Sequence, residues 1–240
     1  MKKWNLEKII YGFVMFTMIL SSVLLVIIMI KAPVMSTDPT VRVKADFTLM
    51  LTQSLLGIVV LILPSILAKK WMIEIPSHMM ILYVIFLYCA IFLGEVRSFY
   101  YNVPHWDTIL HGFSGAMLGA LGFSFVSLLN KSEGIPLELS PAFVAFFAFC
   151  FAVTLGVAWE VYEFTFDGVL GLNMQKFMLE DGTLLLGRAA LQDTMKDLIV
   201  DAVGAAITSL MGYLSLKYQT QFIHNIQLRK AKRGNKDETV

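Results

Sequence analysis

Six runs of this chain, at about 9–30, 47–68, 78–93, 107–129, 141–166 and 193–216, are almost wholly apolar. At ~1.5 Å of rise per residue, a helix of roughly 20 residues crosses the ~30 Å hydrocarbon core of a bilayer. Lipid offers no hydrogen bonds, so a spanning segment must satisfy its backbone internally, as a helix or within a closed barrel. These runs are continuous rather than alternating in polarity, which selects helices. Composition agrees: 57% of residues are hydrophobic, 15% are charged and the mean hydropathy is +0.70. The expected fold is an all-α polytopic membrane bundle of about six transmembrane helices, folded as one integral membrane domain over residues 1–240.

Pro64 lies near the end of the second run, where neighbouring groups must satisfy the carbonyl it frees. The N-terminal run follows Lys2, Lys3 and Lys8 but is too long for a signal-peptide core and lacks a small-residue cleavage site, so it is expected to remain as a first helix. Six spans place both termini on one face. That face then carries twelve lysines and arginines against six on the other, and the positive-inside rule puts both termini in the cytoplasm of a cell (cytoplasmic) membrane. Residues 217–240 form a basic tail that reads as a topology signal or an anionic-lipid contact, not a nucleic-acid arm. Cys89 and Cys150 sit within apolar runs with no CxxC spacing and read as buried apolar residues.

The two halves differ. Residues 1–94 form three spans without interior charge and read as scaffold, with Glu95 and Arg97 only at their exit. Residues 95–216 carry the ionisable groups: Asp107 and His111 in the fourth span, Glu160 and Glu163 in the fifth with Asp167 beyond, and Asp193, Asp197 and Asp201 in the sixth. An acid at a helix centre costs ~2.5–3.5 kcal/mol on insertion scales, so several together need a reason. The spacings i, i+4; i, i+3, i+7; and i, i+4, i+8 set each group on one side of its helix. On the expected topology His111, Glu160 and Asp201 lie about 6, 10 and 12 Å below their helix ends, one shared depth in the outer leaflet. Gly112, Gly115, Gly119 and Gly122, with Ala202, Gly204, Ala205, Ala206 and Gly212, offer small-residue seams for close packing.

Three things relieve such a cluster. A divalent cation can bind it, protonation can neutralise it, or bases can pair with it. The expected bases are few: Lys196, Arg188, Arg97 and His111, with Lys196 ~60° round its helix from Asp193. Glu160, Glu163, Asp197, Asp201 and Asp193 are the candidate metal ligands. An acid-rich set suits Mg²⁺, Mn²⁺ or Ca²⁺ ahead of Zn²⁺. His111, oriented by Asp107, is the candidate catalytic acid/base. Asp107 and Asp193, each followed by Thr, also read as helix N-caps, and Asp167 as a helix-end residue. The connection 167–192 contains an Asp181-Gly182 hairpin signal, consistent with a lid or with a loop dipping into the interface.

Trp106-Asp107-Thr108-Ile109-Leu110-His111-Gly112-Phe113, then Glu160-Val161-Tyr162-Glu163, then Leu191-Gln192-Asp193-Thr194-Met195-Lys196-Asp197-Leu198 and Asp201-Ala202-Val203-Gly204-Ala205 resemble the YjdF-like family of bacterial inner-membrane proteins. More distantly, the order of these motifs is similar to VanZ-like proteins. Those carry Gln and Asn where this chain has Glu163 and Asp201, so this chain is the more acidic and better suited to a metal. The resemblance covers residues 100–215 and implies the fold.

The residues admit three functions. One is a metal-assisted enzyme acting on a lipid, lipid-linked or headgroup substrate. The second is a proton- or cation-coupled transporter, against which stands the lack of inner-half acids or an internal repeat. The third is a non-catalytic component that binds a lipid or partner through a structural clasp of acids.

Overall fold

A computed structural model describes residues 6–36, 38, 41–130, 139–179, 182–219 and 228–230. It contains helices α1 (Leu6–Lys31), α2 (Lys44–Trp71), α3 (Ser77–Leu87), α4 (Phe99–Asn102), α5 (Trp106–Asn130), α6 (Pro141–Leu170) and α7 (Arg188–Lys217). A π-helix, Tyr88–Val96, continues α3, so the third span is longer than its apolar pattern suggests. Six helices are long and apolar enough to cross a membrane. Strands β1 (Ile73–Glu74) and β2 (Arg229–Lys230) pair antiparallel, Ile73 opposite Lys230, and bring part of the C-terminal tail back to the end of α2. Lys2, Lys3, Lys131 and the tail from 231 onward lie outside the described residues.

Large apolar side chains such as Phe16, Phe146 and Phe164 face outward, as expected where the solvent is lipid tails. Inside, two cores form. Val14, Met18, Leu61, Met80, Val84 and Leu87 join α1, α2 and α3. Phe123, Val126, Val144 and Ala148 join α5 and α6. The first half has small polar stitches: Ser22 and Ser54 share a hydrogen bond of 2.9 Å, and the Tyr83 hydroxyl donates to the Val60 carbonyl at 2.7 Å.

The second half is built on the α5–α7 seam. A Cβ on Gly115 would collide with the backbone of Asp201, and one on Gly204 with the carbonyl of Gly112. Only glycine lets the two backbones come this close, and that contact fixes which turn of α5 faces which turn of α7. The sixth span was expected to open at Asp193. It opens at Arg188, because Arg-Ala-Ala-Leu-Gln are good helix formers and Gly187, at positive φ, is the break before them. Asp193 is therefore inside the helix and not its cap. Asp107 is likewise inside the first turn of α5 rather than at the cap. Asp201 lies ~20 Å from the start of α7, and the extra turns of α7 keep it level with His111.

Gly204→Val should lower stability by about 1–3 kcal/mol through overpacking of this seam. Gly12→Val, where a Cβ meets nothing within 4 Å, should leave the melting temperature in detergent unchanged.

Candidate functional site

His111 is buried on α5 and faces α7. Its Nδ1 lies 3.2 Å from Asp201 Oδ2. A carboxylate only accepts, so His111 Nδ1 carries a proton and donates it to Asp201. Ser114 Oγ sits 2.9 Å from the other Asp201 oxygen and 2.8 Å from the His111 carbonyl. Gly156 on α6 clears the space beside Asp201, since a Cβ there would stand 2.8 Å from Oδ2. On its other side His111 Nε2 lies 3.7 Å from Asp107 Oδ1 and 3.9 Å from Asp197 Oδ2. Both are too long for hydrogen bonds. Asp197 is only 3% exposed and its Oδ1 has no hydrogen-bond partner among the described residues.

The loop between α6 and α7 closes this end of the bundle. Asp167 is buried rather than a solvated helix end, because its two oxygens accept from the backbone N–H of Met174 (2.7 Å) and Gln175 (3.0 Å). Asn173 brackets Met178 through both its amide groups. Beyond it, Met178 and Leu184 form an antiparallel bridge and Gly182 takes φ 84°, the hairpin expected there, although Asp181 lies outside the described residues. Pinned this way, the loop aims two side chains inward. Gln175 donates to Glu160 Oε2 (3.2 Å) and Thr194 Oγ1 (3.0 Å). Lys176, at φ 48°, hydrogen-bonds Asp107 Oδ2 and lies 3.4 Å from Asp193 Oδ2. A non-glycine residue in this region costs energy and persists where other contacts hold it. Burial pulls the lysine down, but Asp107 and Asp193 outweigh it and hold the ammonium above its ordinary range. Its stabilising effect is complete below the ordinary lysine value and is lost only at more alkaline pH still.

The expected ligands therefore separate. Asp107, His111, Asp197 and Asp201 converge. Asp193 joins through Lys176, and Glu160 through Gln175. Glu163 accepts from the Trp159 indole at 2.9 Å and lines the cavity beside the cluster. Lys196, Arg188 and Arg97 are exposed and do not supply the counter-charge. Lys176 does, and pattern reading counted it only as a loop charge. The signal for it was a single lysine in a long apolar loop above several acids without a cation.

Among the described residues, Asp107, His111 and Asp197 are the group whose ligand atoms all fall within 4.8 Å of one another. Glu160, Glu163, Asp193 and Asp201 stand outside it. Beside this group is a cavity of about 370 Å³ between the two halves, with Asp107, His111, Ser114 and Lys176 at its polar end. Tyr100 on α4 also lines it, below the Lys176 ammonium at 5.8 Å. Burial, and then the charge of Asp107, hold the Tyr100 hydroxyl well above its ordinary range, so it remains a neutral donor.

Fold and site together define a six-span membrane protein with a buried acid–histidine cluster at one end of the bundle. The chain belongs to the family described as "Predicted membrane protein (DUF2238)", whose model matches residues 13–218 and so takes in every residue of the cluster. An uncharacterised protein of Thermotoga maritima is similar to it, 34% identical over 134 residues. That match covers 55% of this chain and 59% of the relative, under two thirds of its length. No solved structure matches the chain.

Lys176→Met should destabilise the protein by about 2 kcal/mol, the scale of a hydrogen bond to a charged group. Adding Asp107→Asn should recover part of the loss, read as coupling in a thermal double-mutant cycle. Equal, additive losses would show that the pair does not hold the loop.

Proposed function

We propose that this protein holds a divalent cation between Asp107, His111 and Asp197 and uses it as a Lewis acid on a substrate at the membrane surface. The observation that carries this reading is the position of His111 Nε2 between two carboxylate oxygens at 3.7 and 3.9 Å, where an ion would take the place of a proton. In a tetrahedral site with ~2.0–2.1 Å bonds, neighbouring ligand atoms lie ~3.4 Å apart, so small side-chain shifts complete the shell. The Nδ1–H donated to Asp201 is the outer-shell contact that fixes a metal-binding histidine. Asp197 Oδ2 is the oxygen nearest Nε2 and Oδ1 has no partner among the described residues, so the buried carboxylate has capacity that an ion could use.

Charge balance favours the same conclusion. Six carboxyl groups, those of Asp107, Glu160, Glu163, Asp193, Asp197 and Asp201, gather near one lysine and one histidine. With one imidazole and two carboxylates as ligands, Zn²⁺ and Mn²⁺ suit the set better than Mg²⁺ or Ca²⁺. Three protein ligands leave a position for water or substrate, as catalytic sites do. Such an ion polarises a bound oxygen or lowers the pKa of water. In this reading His111 is a ligand rather than the acid/base group. Asp201 positions it, and Lys176 holds Asp107 by its second oxygen and leaves Oδ1 for the ion. The lysine and arginine distribution puts this end of the bundle in the outer leaflet of a cytoplasmic membrane. The YjdF-like resemblance is part of this reading.

Metal analysis of protein purified in detergent tests it. About one equivalent of zinc or manganese should bind after loading. Asp197→Asn and His111→Gln should lose it, Asp201→Asn should weaken it about 10–100-fold, and Glu163→Gln should keep it. Loaded wild-type protein that holds no stoichiometric metal, with a melting temperature indifferent to added ions, would falsify the proposal.

A further inference from the structure

The cavity beside the cluster is segregated along its length. Near the membrane surface it is lined by Asp107, His111, Ser114, Glu163 and Lys176. Deeper it is lined by Leu56, Val60, Phe86, Met117 and Leu118. From Asp107 to Leu118 along α5, and from Leu49 to Val60 along α2, the lining runs ~16 Å. That is about one leaflet of a ~30 Å hydrocarbon core. A volume of about 370 Å³ lies in the range of small-molecule sites, ~300–1,000 Å³. The cavity also has a side towards lipid. Leu155 and Trp159 on α6 line it while remaining 37% and 43% exposed, and α2 and α6 form no packed seam among the described residues.

We infer that the cavity takes a phosphorylated lipid from one leaflet, entering between α2 and α6, with a hydrocarbon chain along Val60, Met117 and Leu118 and its phosphate at the His111 end. The length and segregation of the lining specify a chain with a polar head. The sign of the head rests on the metal reading above, since the open position of a three-ligand divalent ion binds an anionic oxygen. Lys176, Ser114 and the neutral Tyr100 hydroxyl are donors lining the same end and suit phosphate, and the bound ion offsets the carboxylates of Glu95, Asp107, Glu163 and Asp201 that line it too. Phosphate is the shared chemistry of several lipids and of the free ion. The hydrocarbon chain separates them, because a buried methylene adds about fourfold in affinity.

Native mass spectrometry of zinc-loaded protein in dodecyl maltoside, with dodecyl phosphate as probe, tests the inference. Dodecyl phosphate should bind more tightly than octyl phosphate, and inorganic phosphate and dodecyltrimethylammonium should bind far more weakly. Ala90→Phe and Leu118→Trp fill the apolar length away from the proposed ligands. Both should keep zinc, which shows that they fold, and lose dodecyl phosphate at least tenfold. Asp197→Asn should lose zinc and dodecyl phosphate together. A zinc-loaded wild type that binds no dodecyl phosphate, or binds it no better than either filled variant does, overturns the lipid inference and leaves the metal reading standing. A wild type without zinc that prefers dodecyltrimethylammonium overturns both.

Discussion

The close approach of α5 and α7 is the constraint on which the rest of this molecule depends. Gly115 rests on the backbone of Asp201 and Gly204 on the carbonyl of Gly112. Helices in lipid gain little from burying apolar surface, because the tails outside are as apolar as the core. Backbone proximity and polar contacts must hold them instead. Here the two are one device, since the same contact that brings the helices together sets His111 against Asp201. In the first half the charged groups Arg42, Asp46 and Glu95 gather at the end of the spans. Its helices meet through methionine, leucine and two serines and provide a wall.

The acids are tolerated through graded relief. Asp201 has His111 and Ser114, Asp193 and Asp107 share Lys176, Glu160 has Gln175, and Asp167 has two backbone amides. Asp197 and Glu160 are each buried with one oxygen unpartnered among the described residues, and of the two only Asp197 faces His111 directly. In a low-dielectric site the partly satisfied group is the costly one. Asp197 therefore stands where a ligand would do most, with its other oxygen 3.9 Å from His111 Nε2. The loop of residues 171–187 is as much a part of this cluster as the helices are, because without Gln175 and Lys176 three of the acids lose their partners.

Much of this was readable in advance, for physical reasons. Hydrocarbon thickness makes the spans recognisable by length, and helical period shows that Asp107 with His111, and Asp197 with Asp201, share faces. Small residues at Gly115 and Gly204 announce a seam. Glu160 and Glu163 lie ~60° apart round the helix, so one meets Gln175 and the other Trp159, while Glu163 still lines the cavity with His111. The role of Lys176 was invisible to periodicity, because a loop residue has no face until its backbone is pinned. The pinning comes from Asp167, which sequence alone presents as an ordinary helix end.

By itself, then, the sequence determined that the chain is an all-helical membrane bundle whose last three spans carry acids and a histidine. Those properties depend on length, polarity and local period, which are written along the chain. Which acids meet was decided by tertiary structure alone. The register of α5 on α7, the extra turns at the start of α7 and the inward turn of the 171–187 loop selected Asp107, His111 and Asp197 from the candidates and set a leaflet-deep cavity beside them. Register and loop path depend on contacts between distant residues, and no local pattern carries that information.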